Sequence, residues 1–217
     1  MKELIKKIDF QVILTSILLV VFQSIIFFLT KPFINDPYIL DSALDNAIPY
    51  VPHFIWIYVF WYFMLFAVPY YIASKNKISL YKYITTYIIT TIISGIIFVS
   101  FPNSVIRAEI TGTDIANKLV WLIYKMDTPA INCLPSIHCL FSYLFILAAF
   151  DAKNDTSTSM KCAITILSIL VVLSTLFIKQ HVVYDAVASL VLAIVVWIIV
   201  DKTKIYNIFK KVFEKNK

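Results

Sequence analysis

Residues 163–200 read AITILSILVVLSTLFI-KQH-VVYDAVASLVLAIVVWIIV, two apolar runs, Ala163–Ile178 and Val182–Val200, joined only by Lys179-Gln180-His181. Each run approaches the roughly 20 residues that a helix needs to cross a hydrocarbon core. The pair predicts two membrane helices whose turn carries a histidine, with Asp185 one helical turn later. Ionisable groups at membrane depth are expensive, and their presence there marks a functional site by default. Twenty-five residues upstream of Ala163 stands another, His138, in Pro135-Ser136-Ile137-His138.

Working outward, four further apolar runs precede this pair: Val12–Leu29, Phe54–Ala73, Tyr83–Phe101 and Leu134–Phe150. The first three reach or approach spanning length unaided. The last three of the six come close only by taking in polar residues. Pro135, Ser136 and His138 belong to the fourth and Asp185 to the sixth, while His181 caps the short fifth run. That puts the polar set at the rim of the bilayer. The expected fold is all-α, an integral membrane bundle of six transmembrane helices in one domain over residues 1–217.

Composition agrees. The chain is 60% apolar and 15% charged, whereas a soluble domain is nearer about half apolar and about a quarter charged. Two glycines in 217 residues exclude a glycine-rich phosphate loop, so any phosphate must be held by side chains and helix ends. Cys133, Cys139 and Cys162 form no C-x-x-C pair and no zinc-ligand spacing, and read as small apolar fillers.

The net charge of +6 is distributed for a bilayer, not for nucleic acid. The even-numbered loops and both termini hold Lys2, Lys6, Lys7, Lys75, Lys77, Lys82, Lys153, Lys161 and six lysines from Lys202 to Lys217, which is 14 of the 19 Lys and Arg residues. The odd loops hold Lys31, Arg107, Lys118, Lys125 and Lys179. By the positive-inside rule both termini are cytoplasmic, and Arg107, His138, His181 and Asp185 share the outer face. The N-terminal run is too long for a signal-peptide core, and Thr30-Lys31-Pro32-Phe33 offers no small-residue cleavage site, so a retained first helix is expected. Residues 202–217 place Ile205, Ile208, Phe209, Val212 and Phe213 at helical spacing between lysines, as in a basic amphipathic tail lying on the inner leaflet. Trp56, Trp61 and the tyrosines read as interface anchors and helix packing, His53 as interfacial, and Lys125 and Asn132 as loop residues.

Pro135-Ser136-Ile137-His138 resembles the Pro-Ser-x-His signature of the type 2 phosphatidic acid phosphatase superfamily, which also includes vanadium haloperoxidases. His181-Val182-Val183-Tyr184-Asp185 resembles its later His-x-x-x-Asp element, and Phe101-Pro102 with Arg107 resembles its first motif. The likeness covers about residues 100–190, in the family's order. Departures accompany it. Ser100 stands at the first motif's lysine position, Ala108 at its proline, Ile137 at the glycine before the histidine, and Ser174-Thr175 where Ser-Arg is usual. Lys179-Gln180-His181 with Asn132 is closer to inositol-phosphorylceramide and sphingomyelin synthases, which transfer phosphorylated headgroups.

The resemblance implies a mechanism. His181 would attack phosphorus and form a phosphohistidine, Asp185 at i+4 would fix and charge-stabilise its imidazole, and His138 would protonate the leaving lipid oxygen. Arg107, Ser136 and Lys179 would bind the phosphate, aided by the N–H groups of a helix starting at Pro135. Either Lys125 or Lys179 would replace the missing motif arginine. Arg107 and Lys179 favour an anion over a cation, so no metal and no cofactor is expected.

The expected function is hydrolysis of a lipid phosphomonoester or diphosphate, of polyprenyl diphosphate or phosphatidate type, at the outer face of a bacterial plasma membrane. Its partners would be the lipid substrate and the bilayer. A headgroup phosphotransferase is the alternative enzyme, and a transporter or channel with a histidine proton relay the alternative of another class.

Overall fold

The computed structural model describes residues 2–214, with side chains from Phe10 to Phe213. Lys215 and Lys217 of the basic tail, and the side chains of Lys2, Lys6 and Lys7, lie outside the described residues. Each of the six apolar runs forms a helix: α1 (Lys2–Thr30), α3 (Ile55–Lys75), α4 (Lys77–Ser100), α6 (Ile137–Asp151), α7 (Thr158–Phe177) and α8 (Val183–Thr203). Between them lie the short α2 (Ala43–Ala47) and the 12-residue α5 (Ile115–Met126), and α9 (Asn207–Glu214) follows α8. Among the described residues, the extended structure is a two-residue parallel pair, β1 (Tyr38–Ile39) with β2 (Asn103–Ser104), extended by a bridge from Ser104 to Ile131.

Five of the six helices are long and apolar enough to cross a membrane, and α6 is not. Its 15 residues rise about 22 Å against a core of about 30 Å. The fourth run shortens because Pro135 and Ser136 stay outside the helix. The helix begins at Ile137 with Ser136 as its N-cap, so Pro135 lies one residue before the cap and not in the first turn.

The short helix is also the central one. Leu140, Phe141, Leu144, Phe145 and Ala149 are fully buried, and α6 packs on α4, α7 and α8. The outer helices instead expose large apolar side chains, including Leu18, Phe63, Ile96 and Val191, each more than half accessible. Water-soluble monomers seldom carry apolar surface on this scale, whereas lipid-facing helices require it. A third feature is the close approach of α1 to α4 at Gly95, where an added Cβ would sit 2.6 Å from Ile26 Cγ2.

Sequence pattern and packing part company in two places. The long third loop contains α5, an amphipathic helix capped by the Asp114 carboxylate, which accepts from the N–H groups of Ala116 and Asn117. The basic tail is helical as expected, but Phe209 and Phe213 turn onto the core, with Phe213 against Tyr81. Ile208 and Val212 remain exposed.

The two ends of the bundle differ in chemistry. At one end Lys82 binds Asp151 at 2.7 Å and also Asp201, and Ser79 donates to Asp151 at 2.6 Å, tying α4, α6 and α8 together. Lys82→Met should destabilise the protein by about 3 kcal/mol and lower its melting temperature in detergent, because it leaves the part-buried Asp151 without its cation. Asp201→Asn, at an exposed carboxylate, should cost no more than about 1 kcal/mol. Thermal unfolding of both variants checks the order.

Candidate active site

The other end gathers the polar residues singled out in the sequence. Helix α7 stops in a turn whose bonds are Gln180 N–H to Thr175 O (2.9 Å) and Lys179 N–H to Leu176 O (3.1 Å). This is a Schellman stop, which needs a left-handed residue just past the helix and most often uses glycine. Lys179 takes that place with φ 52°. The turn delivers His181 to the first residue pair before α8.

Asp185 then does two things with one oxygen. Its Oδ2 accepts from the Val182 N–H at 3.1 Å, closing the first turn of α8, and lies 3.0 Å from His181 Nδ1. Asp185 is fully buried and His181 is 8% exposed. His181 stands outside the helix, yet the four-residue spacing still brings the two groups together. Ser189, one further turn along, donates to the carbonyls of Asp185 (2.6 Å) and Ser136 (3.0 Å), which docks the start of α8 on the start of α6.

The Ser136 hydroxyl accepts from the Cys139 N–H at 3.3 Å, and the Ser136 carbonyl accepts from the Leu140 N–H. That leaves the N–H groups of Ile137 and His138 as the first-turn donors available to a ligand. Ser136 is therefore a cap whose side chain faces its own helix.

His138 projects between α3 and the α7–α8 turn. Its ring stacks on Tyr58 (4.4 Å between centroids), packs against Trp61 (4.2 Å), and lies 6.0 Å from the His181 ring. Its Nε2 has no hydrogen-bond partner among the described residues. The two histidines line one cavity of about 190 Å³ together with Asp127, Asn132 and Gln180. The cavity's apolar wall comes from α1 and α3, with Val20, Phe27 and Leu65 among its residues.

Arg107 and Lys179 diverge. Arg107 donates to the carbonyls of Tyr124 (2.8 Å) and Asp127 (3.1 Å) at the end of α5, and to Asp127 Oδ2 at 2.6 Å. Asp127 brings it to the cavity's edge. Lys179, in contrast, gives its ammonium to the carbonyls of Asp45 and Ile48, both at 2.6 Å, and so fastens α2 to the turn. The left-handed backbone turns it away from the cavity. Lys125 is no substitute either, for it lies exposed over the Trp121 ring. The cation that does arrive is Lys31, just past the end of α1, 2.9 Å from Asp127 Oδ1.

Four further residues have contacts at this end that their sequence readings did not give them. Asn103 in β2 accepts from the N–H groups of Cys133 (2.9 Å) and Leu134 (2.8 Å), stitching the Arg107 loop to the loop before α6. Tyr58 and Trp61 are buried packing residues, as one half of their reading had it, and what they pack against is His138. Cys133 is more than a filler, since its sulfur and donor atoms of His181 and Asp185 lie within 4.8 Å of one another. Such a mixed set suits a borderline cation like zinc. Burial first, then the charges of Asp185 and Asp127, push the Cys133 thiol well up, which keeps it protonated. Asn132 is structural, donating to Phe27 O and Thr30 Oγ1 at the end of α1. His53 is exposed at the start of α3.

Residues 77–208, more than half of the chain, match the sequence profile of the PAP2 superfamily. The protein belongs to that superfamily, and the match covers every helix from α4 to the start of α9. Membership points to phosphatase or phosphotransferase chemistry on lipid-like phosphate substrates. Neither a curated protein nor a solved structure matches the chain.

Asn103→Ala should strand two buried N–H groups and destabilise the protein by about 2 kcal/mol. Asn103→Asp keeps the acceptor and should retain most of the stability, as thermal unfolding of the pair would report.

Proposed function

We propose that the protein is a metal-independent lipid phosphatase whose nucleophile is His181, acting at the outer face of a membrane that it spans six times with both termini inside. The observation that carries this reading is the pair of histidines 6.0 Å apart across one cavity, the first with a buried carboxylate on Nδ1, the second with an unpaired Nε2. An Nδ1–H directed at Asp185 leaves the lone pair on Nε2, the tautomer an in-line attack requires.

The steps follow from these positions. His181 Nε2 forms a bond to phosphorus as the bond from phosphorus to the lipid oxygen breaks. The imidazolium of His138 gives its proton to that oxygen, and the lipid alcohol leaves. Neutral His138 then takes a proton from water, whose oxygen attacks phosphorus and breaks the P–N bond, releasing inorganic phosphate. Asp185 stabilises the positive charge on the phosphorylated imidazole throughout. The Ile137 and His138 N–H groups and Arg107 neutralise the phosphoryl oxygens.

The charge asymmetry of the loops supports the outward face. The cavity's lining reaches Val20 on α1 and Leu65 on α3, about ten residues in from Thr30 and Ile55 at the helix ends nearest the histidines. Its apolar wall between α1 and α3 suits the chain of a lipid whose headgroup sits at the histidines.

Purified protein given a panel of lipid phosphomonoesters and diphosphates, with and without diacylglycerol or ceramide, tests the reading. Released phosphate supports hydrolysis, and a new phospholipid without free phosphate would assign headgroup transfer instead. His181→Ala should abolish turnover and His138→Ala should lower kcat on the order of 10²–10⁴-fold. Since one histidine must be neutral and the other charged, kcat/KM should be bell-shaped in pH, measured from pH 4 to 9. Activity lost to a chelator and restored by magnesium would rule out the metal-independent mechanism.

A further inference from the structure

Asp127 collects three donors from three separate parts of the chain. Its Oδ1 holds the Lys31 ammonium at 2.9 Å, and its Oδ2 holds the Arg107 guanidinium at 2.6 Å and the Gln180 amide at 2.7 Å. Lys31 follows α1, Arg107 precedes α5, and Gln180 is the chain neighbour of His181. Asp127 and Gln180 line the same cavity as His138 and His181. Lys31 and Arg107 stand behind the carboxylate.

This is the geometry of an anion site with an anion already in it. A carboxylate presents two oxygens to the donors that would otherwise meet the oxygens of a phosphoryl group, and arginine and lysine are the side chains suited to either. The donors are not exhausted by Asp127, since Arg107 Nε is buried without a partner. Nor is Lys31 an ordinary helix-end lysine reaching for water: its side chain is 13% exposed and its ammonium lies 4.9 Å from the Phe27 ring centroid, over a residue that lines the cavity.

We propose that Asp127 is an internal anion occupying the phosphoryl position, and that Lys31, Arg107 and Gln180 are the ligands a substrate phosphoryl takes over when the carboxylate swings aside. Lys31 then supplies the charge missing at Ser100, and Gln180 sets the register between the phosphoryl and His181 Nε2. Two cations balance one carboxylate with a single positive charge to spare. A phosphate dianion entering beside an unmoved Asp127 would reverse that balance, so the two anions compete. Asp127 sits just past the last residue of α5, with its side chain part-exposed and lining the cavity, and is free to leave without unwinding the helix. The inference rests on the phosphatase reading for its substrate, but not for its binding test.

The experiment measures inorganic phosphate in two ways on wild type, Lys31→Met, Lys31→Arg, Asp127→Asn and Asp127→Ser in detergent. One is equilibrium binding followed by phosphorus NMR, and the other is inhibition of turnover of a lipid phosphomonoester in mixed micelles. Lys31→Met should weaken phosphate about tenfold in both and raise KM for the lipid similarly, with Lys31→Arg recovering most of it. Asp127→Asn should do the opposite, tightening phosphate several-fold and lowering KM. Asp127→Ser removes the charge with a smaller side chain and should move in the same direction, and melting temperatures identify any variant that fails to fold.

Weaker phosphate binding in both folded Asp127 variants would overturn the proposal and make Asp127 a positioning residue for Arg107. Unchanged binding in Lys31→Met would remove Lys31 from the site. Wild type that binds phosphate with these variant effects but turns over no lipid would defeat the phosphatase reading and leave the anion site standing. Lipid turnover with a change in neither binding nor KM would defeat the anion site alone. Micelle-bound lipid responding to Lys31→Met while free phosphate does not would confine Lys31 to the lipid headgroup and overturn the shared site.

Discussion

A carboxylate with no exposure to solvent has to be met by donors or it will not stay charged. Asp185 takes the Val182 N–H, just before the helix it starts, and the imidazole four residues earlier on Oδ2, while its Oδ1 is buried without a partner among the described residues. One interaction therefore sets where α8 begins and how His181 is turned. The Schellman stop on α7 and the Ser189 bridge to the Ser136 carbonyl are consequences of seating that helix start against the start of α6. The short α6 places His138 opposite.

The cations obey the same rule. Each of the basic residues near the cavity is paired, and the partner decides its role. Arg107 and Lys31 share Asp127 and so stand behind a carboxylate that lines the cavity, whereas Lys179 gives its ammonium to two carbonyls of the α2 segment. At the far end of the bundle Lys82 joins two aspartates and has no cavity to serve. In a chain with so few charges, a cation's partner says more about its job than its distance along the sequence from a motif.

Much of the fold was legible because apolar runs of membrane length have few ways to satisfy their backbone, and a helix is one of them. All six runs are helices. The fourth run lost its first three residues, since a cap residue inside an apolar run cannot be told from the helix it precedes. The helices of the first and third runs instead begin upstream of them, at Lys2 and Lys77. Helix α5 escaped because its amphipathic face lies in a loop rich in polar residues. At the candidate site, His138, His181 and Asp185 stood out as ionisable groups in apolar runs, and Arg107 through the resemblance of Phe101-Pro102 with Arg107 to the superfamily's first motif. The contributions of Asp127, Lys31, Gln180, Tyr58 and Asn103 were not legible, for they depend on contacts between residues 20 to 96 positions apart.

What the amino-acid order determined by itself is local: helical runs, caps, and a histidine and carboxylate one turn apart. These follow from hydropathy and from backbone geometry within a few residues. Which cation faces the cavity was decided only by tertiary structure. A lysine at 31 and another at 179 are alike in sequence, each ending an apolar run. The left-handed turn sends Lys179 away, and the packing of α1 at Gly95 and Asn132 brings Lys31 in. A charged side chain goes where a partner is within reach, and reach is a property of the folded chain.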